Sequence, residues 1–249
     1  MKHSLTHRPT SFFVTAPMPC PYLEGQVERR MVTELSGRDA LSLHDTLSRV
    51  GFRRSHGLVY APICHGCNAC LAVRTIVDEF TPTNSQRRVL KANADLLVEL
   101  RPSRATSEQY ELFSVYQDYR HTGGDMATMD FYDFQSLIEE TPVETMVLEY
   151  RLPANNRLVG ACLVDVMGDG LSAVYSFFDP ELSKRSLGTY IVLNLMDQAA
   201  IQGLPYVYLG YWISGSQKMA YKDKFQPLEY YDGNGWSLIE NYTPDIAAE

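Results

Sequence analysis

The chain has 249 residues, of which 45% are hydrophobic and 21% are charged, a composition typical of a globular protein with one large or two small domains. No apolar run approaches the roughly 20 residues that span a bilayer, the N-terminus lacks a signal peptide's apolar core, and the five cysteines are odd in number, so we expect a cytoplasmic protein with no membrane partner. The net charge of −8 is uneven: residues 1–104 hold 14 Lys and Arg against 9 Asp and Glu (+5), whereas residues 105–249 hold 8 against 21 (−13).

The hydrophobic pattern changes character along the chain. The first half is predicted to contain helix 40–50, strands 58–61 and 72–77, helix 86–93 and strand 96–100. The second half is predicted to contain helices 108–120 and 131–139, strands 145–151, 157–167 and 171–178, helix 187–202, strand 206–211 and a hairpin over 229–238.

The order of elements in the second half favours an α+β fold. A long helix follows a central strand, and in acyltransferases of this arrangement the next strand splays away and opens a cleft for an activated acyl group. We therefore predict an acetyltransferase-like (GNAT-type) catalytic domain over 105–249. A smaller, basic, cysteine-containing domain is expected over 1–104.

Four cysteines have the spacing of a metal site. Cys64, Cys67 and Cys70 lie two residues apart in turn, and Cys20 stands in the run Pro19-Cys20-Pro21. This spacing lets neighbouring thiolates turn toward one ion, so zinc or an iron–sulfur cluster is predicted. Reduced structural cysteines are the alternative.

The chain resembles the aminoacyl-tRNA–protein transferases of the arginyltransferase family, in particular the short bacterial aspartate/glutamate leucyltransferases. The resemblance covers roughly residues 11–237. It is carried by CPY at 20–22, GFRRS at 51–55, the cysteine knuckle at 64–70, FTPTNSQRRVLKAN at 80–93, YSFFDP at 175–180, LGTYIVL at 187–193 and YLGYWISGSQKMAYKDKFQPLE at 208–229.

The resemblance implies transfer of leucine from leucyl-tRNA to the N-terminal amine of a protein that begins with Asp or Glu, which marks that protein for degradation. The reaction is aminolysis of an already activated ester, so no cofactor is required for the chemistry. An α-amine has a pKa near 7.7 to 8, so a general base is optional. The enzyme has to position the amine and stabilise the developing oxyanion.

Candidate site residues fall into three groups. Asp179, after the strand that ends at the cleft, and Tyr211 are the predicted catalytic residues; an Asp-Pro turn is the alternative for Asp179. The acidic acceptor requires a cation, for which Arg53, Arg54 and Arg74 are the candidates. The predicted tRNA contacts are Arg87, Arg88 and Lys91 on a short helix, and Trp212, Ser216, Lys218, Tyr221 and Lys222 beside the cleft.

Three other functions compete with this interpretation. A coenzyme A-dependent N-acetyltransferase needs a glycine-rich phosphate loop, and residues 184–189 offer a single glycine. A zinc-dependent nucleic-acid-binding module is disfavoured by the long acidic second half. The residues themselves leave arginine open as the donated amino acid, and the short bacterial form of the family points to leucine.

Overall fold

The computed structural model describes residues 10–120 and 123–242. The strands in these residues are β1 (Phe13–Val14), β2 (Met18–Pro19), β3 (Val27–Glu28), β4 (Arg30–Glu34), β5 (Arg53–Ser55), β6 (Leu58–Pro62), β7 (Leu71–Ile76), β8 (Leu97–Pro102), β9 (Thr145–Arg151), β10 (Leu158–Met167), β11 (Gly170–Phe178), β12 (Tyr206–Trp212), β13 (Leu228–Tyr231) and β14 (Trp236–Leu238). The α-helices are α1 (Ala40–Arg49), α2 (Asn84–Ala92), α3 (Ser107–Arg120), α4 (Phe131–Glu139) and α5 (Leu187–Ile201).

Eight strands form one mixed sheet in the order β14-β13-β7-β12-β11-β10-β9-β8. Strand β7 comes from the first half of the chain, yet it pairs antiparallel with both β12 and β13 of the second half. The sheet is therefore continuous across residue 104, and the predicted domain boundary at that point stays a prediction.

Helix α5 connects β11 to β12, the one parallel pair recorded in this sheet. Parallel strands need a crossover connection, and α5 supplies it. The helix is apolar around most of its circumference, with Ile191, Leu193 and Leu195 almost fully buried in the main core. Strand, crossover helix and diverging strand confirm the α+β class and the predicted acetyltransferase-like arrangement.

A second core lies under α3 and α4. Phe113 of α3 and Phe134 of α4 pack with their ring centroids 5.0 Å apart, and Phe177 of β11 joins them at 5.7 and 5.9 Å. Since these buried rings hold two helices on the sheet, they fix the face of β11 that α3 and α4 cover.

The smaller sheet has the order β1-β4-β6-β5 and places β5 at an edge. This edge strand lies against β11 of the large sheet. The two sheets are joined by a buried ion pair in which Arg54 of β5 donates from Nε and Nη2 to Asp165 of β10, at 2.6 and 2.7 Å. The chain segment 53–55 is thereby held next to the centre of the large sheet.

The predicted helices and strands named above are confirmed, most within one or two residues at each end. Helix α2 begins earlier than expected because Thr83 and Gln86 form a reciprocal capping box. The longest α-helix of the described residues, α5, has 15 residues, and no helix found there has the length and apolar character to cross a membrane.

Candidate active site

Strands β11 and β12 pair over a short distance and then separate. Residues 170–172 of β11 pair with residues 206–208 of β12, whereas residues 173–176 are only half-buried. On its other side, β12 shifts register against β7 between Tyr208 and Gly210. The structure thus has the splayed pair of strands that the predicted acyl cleft requires.

The guanidinium of Arg53 lies at this splay. It donates from Nη1 to the Ser172 hydroxyl at 3.2 Å and from Nη2 to the Ala173 main-chain oxygen at 2.8 Å. It also lies over Gly210, where a Cβ atom would come within 3.4 Å of the Arg53 Nε. Gly210 has a φ of +82°, which other residues rarely adopt, so the backbone conformation favours a glycine here.

Arg53 is a buried cation without a counter-ion. Its exposed fraction is 9%, and no carboxylate in residues 10–120 and 123–242 forms an ion pair with it. Burial lowers the pKa of its guanidinium, while the neighbouring Tyr60, Tyr211 and Asp165 act in the opposite direction. A guanidinium has five N–H donors, and the contacts described use two of them. The remaining donors suit a carboxylate ligand.

Lys222 is the second buried cation of this region. It lies in the short 3₁₀ turn Ala220–Lys224 that follows β12, with an exposed fraction of 6%. Its Nζ donates to the Tyr211 main-chain oxygen at 2.5 Å and lies 3.8 Å from the Met219 sulfur. Burial, with a further contribution from Arg53, lowers the pKa of Lys222 to about 7. Its predicted contact with tRNA phosphates does not suit this buried position.

Tyr211, one of the two predicted catalytic residues, is a buried neutral phenol. Its hydroxyl donates toward the main-chain oxygens of Gly51 and Tyr60, each at 3.0 Å. Burial raises the pKa of Tyr211 well above its usual value. The Tyr211 side chain therefore links β12 to the small sheet, and the Tyr211 main-chain oxygen accepts a hydrogen bond from Lys222.

Asp179, the other predicted catalytic residue, is engaged in local structure. Its Oδ2 accepts from Arg157 at 2.7 Å, and its Oδ1 accepts from the Glu181 main-chain N–H at 2.9 Å as the cap of a 3₁₀ turn. Both oxygens are used, so we leave Asp179 out of the candidate site.

Arg54 and Arg74, the other candidates for the acidic acceptor, already have protein carboxylates. Arg54 pairs with Asp165. Arg74 donates to Glu229 at 2.7 Å, and its guanidinium lies 3.5 Å from the ring centroid of Tyr206. Of the three predicted arginines, Arg53 alone is left without a carboxylate in the part of the chain described here.

The predicted tRNA contacts separate into exposed and buried residues. Arg87, Arg88 and Lys91 lie on the exposed surface of α2, and Lys218 and Tyr221 are also exposed. Trp212 is packed in the main core with its ring 5.8 Å from Tyr242, and Ser216 is buried. Stacking of a base on Trp212 is therefore not part of the candidate site.

The four cysteines share one neighbourhood. Burial raises the pKa of Cys70 to about 12, and Cys20, Cys64 and Cys67 raise it further by their charge. The sulfur donors suit zinc or an iron–sulfur cluster in kind. In arrangement they do not fit, since no group of three or more His, Cys, Asp or Glu side chains among residues 10–120 and 123–242 is placed to hold a metal ion. The proposed reaction is therefore derived without a metal.

Sequence reasoning missed Tyr60 and assigned Lys222 to contacts with tRNA phosphates. Tyr60 belongs to β6, and its half-buried ring lies 5.9 Å from that of Tyr211. Tyr60 is brought to the site by its contact with Tyr211 of the second half of the chain, whereas Lys222 is held by Tyr211 within that half. The segment around Lys222 is polar in sequence, so its pattern gave no signal that this lysine is buried.

Comparison with known proteins covers nearly the whole chain. The family described as "Arginine-tRNA-protein transferase, N terminus" matches residues 18–88, and its C-terminus counterpart matches residues 108–232. The "Aspartate/glutamate leucyltransferase" of Paramagnetospirillum magneticum is 53% identical over 236 residues, covering 95% of this chain and 96% of the relative. That of Rhodospirillum rubrum is 53% identical over 235 residues, covering 94% and 95%.

Two solved structures overlap this chain in part. L-PGS from Bacillus licheniformis has a TM-score of 0.46 at 10% identity, covering 73% of this chain and 52% of that chain. FemX has a TM-score of 0.44 at 12% identity, covering 71% and 61%.

Proposed function

Because this chain belongs to the arginine-tRNA–protein transferase family, we propose that it is an aspartate/glutamate leucyltransferase. It moves leucine from leucyl-tRNA to the N-terminal amine of proteins that begin with Asp or Glu. The reaction belongs in the cytoplasm, where charged tRNA is found and where the free thiols of this chain stay reduced.

The observation that carries acceptor recognition is the buried, unneutralised Arg53 at the splay of β11 and β12. Removing a cation from water costs several kcal/mol unless an anion compensates it. The side-chain carboxylate of an N-terminal Asp or Glu is such an anion and matches the planar donor geometry of a guanidinium. Arg53 would thus accept an acidic residue and reject its amide.

The chemistry follows from the ester. The acceptor amine attacks the leucyl carbonyl carbon, a C–N bond forms, and the bond to the ribose oxygen of tRNA breaks. The ester supplies the free energy, so the protein has to hold the amine near the carbonyl and exclude water. A site in which the acceptor is anchored by Arg53, beside the open splay, meets this requirement.

Binding of tRNA is assigned to the exposed cations of α2. Arg87, Arg88 and Lys91 have no carboxylate partner among the ion pairs of the described chain, and α2 packs on α5, the helix that follows the splay. Cations free of ion pairs on such a surface suit phosphate groups. Phosphate binding by α2 would orient the acceptor end of the tRNA toward the cleft.

The function is tested by transfer from a panel of aminoacylated tRNAs, including leucyl- and arginyl-tRNA, to peptides that begin with Asp, Glu, Asn or Ala. We expect transfer of leucine to the Asp and Glu peptides alone. Transfer of arginine would change the donor assignment, and equal transfer to the Asn peptide would refute recognition of the carboxylate.

A further inference from the structure

Lys222 differs from the other lysine of its turn, Lys224. Lys224 is exposed, whereas Lys222 is buried and forms no ion pair with a carboxylate of residues 10–120 or 123–242. Its Nζ is oriented by the carbonyl oxygen of Tyr211, at the end of the strand that borders the splay. A buried amine held in this way needs an explanation that a solvated lysine does not.

The position of Lys222 relative to Arg53 bears on where the acceptor amine would lie. In an N-terminal Asp or Glu, the α-amine and the side-chain carboxylate belong to one small residue. If Arg53 binds the carboxylate, as the proposed function requires, the amine must lie within a few ångströms of that guanidinium. Arg53 lies over Gly210, and Lys222 donates to the main-chain oxygen of Tyr211, the next residue of β12, so the two cations meet neighbouring residues of one strand. An acceptor amine held through Arg53 would therefore come close to Lys222.

Burial and the positive charge of Arg53, on β5, favour the neutral form of Lys222. The Tyr211 carbonyl oxygen orients the Nζ, and the Met219 sulfur lies 3.8 Å from it. The thiol of Cys70 in the knuckle acts in the opposite direction, as a smaller effect. Burial and Arg53 together bring the pKa to about 7, so a large share of Lys222 carries a free lone pair at neutral pH.

We propose that Lys222 is the proton acceptor that converts the acceptor's α-ammonium into the attacking amine. Before attack, one proton of the α-ammonium passes to the Nζ lone pair of Lys222. The neutral amine then forms the C–N bond, the ester C–O bond breaks, and the leaving ribose oxygen takes a second proton from the attacking nitrogen. The third proton stays on the new amide, and Lys222 returns its proton to solvent.

The test is single-turnover kinetics with saturating leucyl-tRNA and two acceptors. One acceptor is a peptide that begins with Asp, and the other carries an aminooxy group in place of the α-amine, which is a far weaker base and is neutral throughout the pH range used. The wild-type rate constant with the Asp peptide should rise with pH through about 7 and then level off. With the aminooxy acceptor it should be nearly flat.

Two substitutions separate a proton acceptor from other roles. Lys222→Met should slow transfer to the Asp peptide at pH 7 by roughly 10²–10⁴-fold and slow the aminooxy acceptor less than about tenfold. Lys222→Arg keeps the positive charge but does not release it, so it should be as slow as Lys222→Met with the Asp peptide. Lys224→Met, an exposed change in the same turn, is the matched control and should keep the wild-type profile.

The outcomes are distinguishable. Retained activity of Lys222→Arg would show that a fixed charge is sufficient and would overturn the proposal. Equal losses of Lys222→Met with both acceptors would indicate a structural role and would also overturn it. If neither variant folds, the wild-type profiles decide, since a curve for the Asp peptide without an inflection near 7 contradicts the proposal. If wild type transfers nothing to the Asp peptide, the proposed function itself fails.

Discussion

Arg53 and Arg54 are adjacent in β5 but differ in their partners: of the two, Arg54 forms an ion pair with a carboxylate of the described residues and Arg53 does not. Side chains alternate between the two faces of a strand, so the two guanidinium groups point apart. Arg54 meets Asp165, whose Oδ1 also accepts from the Thr145 hydroxyl at 2.8 Å. Within residues 10–120 and 123–242, the hydrogen bonds of Arg53 go to a hydroxyl and a carbonyl oxygen. The same residue type therefore forms a structural ion pair at one position and, in the proposed function, binds the acceptor carboxylate at the next.

Replacing Arg53 with Gln should abolish the preference for an acidic acceptor. Loss of a charged, buried hydrogen-bonding partner is expected to lower kcat/KM for the Asp peptide by roughly 10²–10³-fold, the equivalent of about 3–4 kcal/mol. Rates with an Asn peptide should change little, because that acceptor brings no charge. Arg88→Gln, on the exposed surface of α2, serves as the control and should keep the Asp-over-Asn ratio.

Lys222 should make the stability of the protein depend on pH. Its pKa is lowered in the folded state, so between pH 7 and about 10 the unfolded chain holds a proton that the folded chain lacks. The cost of burying the charge is thus fully present below pH 7 and is relieved as the pH rises. Relative to Lys222→Met, the wild-type free energy of unfolding should increase by about 1.4 kcal/mol per pH unit from 7 to 9. Denaturant titrations at pH 6, 7, 8 and 9 measure this, and parallel curves would contradict it.

At the scale of elements, α2 links the predicted tRNA surface to the turn that carries Lys222. The buried Gln86 of α2 donates from Nε2 to the Lys224 main-chain oxygen at 2.9 Å. Asn93, just after the helix, donates to the Arg185 main-chain oxygen at 2.8 Å, next to the start of α5. Helix α2 therefore has its polar contacts on the two segments that border the cleft.

Neutralising the basic surface of α2 should weaken tRNA binding and its dependence on salt. Each phosphate contact releases about one counter-ion, so the double variant Arg87→Ala/Arg88→Ala is expected to lower the slope of log K against log [salt] by about two. The loss should be similar for all tRNAs, since phosphates carry no sequence information. Filter binding between 50 and 200 mM salt is a suitable measurement, and an unchanged slope would remove α2 from the tRNA surface.

The binding of zinc or an iron–sulfur cluster by the four cysteines remains a prediction. The four sulfurs would have to close in further to share an ion. We expect anaerobic reconstitution to load one metal per chain and to release protons, because thiols must ionise in order to ligate. Cys67→Ser should lower the metal content, measured by elemental analysis. Cys162→Ser, in the buried core, is the control. Wild-type protein that retains no metal after reconstitution would favour the structural alternative.

For the whole molecule, the sequence predicts local features better than those that depend on distant contacts. Helices such as α4 were predictable because periodicity and capping lie within a dozen residues. The insertion of β7 between β12 and β13 was not, since no local pattern names a strand's partner. The same limit applies to the site: Arg53 was among the candidates by chemistry, but its distinction from Arg54 and Arg74 required the carboxylates that each meets in space.

The position of β7 has a consequence for synthesis on the ribosome. Its residues end at 76, and its two partners begin at 206 and 228, so at about 5–20 residues per second the strand is made roughly 7–30 seconds before its neighbours. Five of its six residues are buried in the finished protein. During that interval an apolar strand with unpaired backbone on both edges is exposed to other nascent chains. The large sheet is thus completed only after residue 228 has been synthesised, and until then the unpaired strand is a possible site of aggregation.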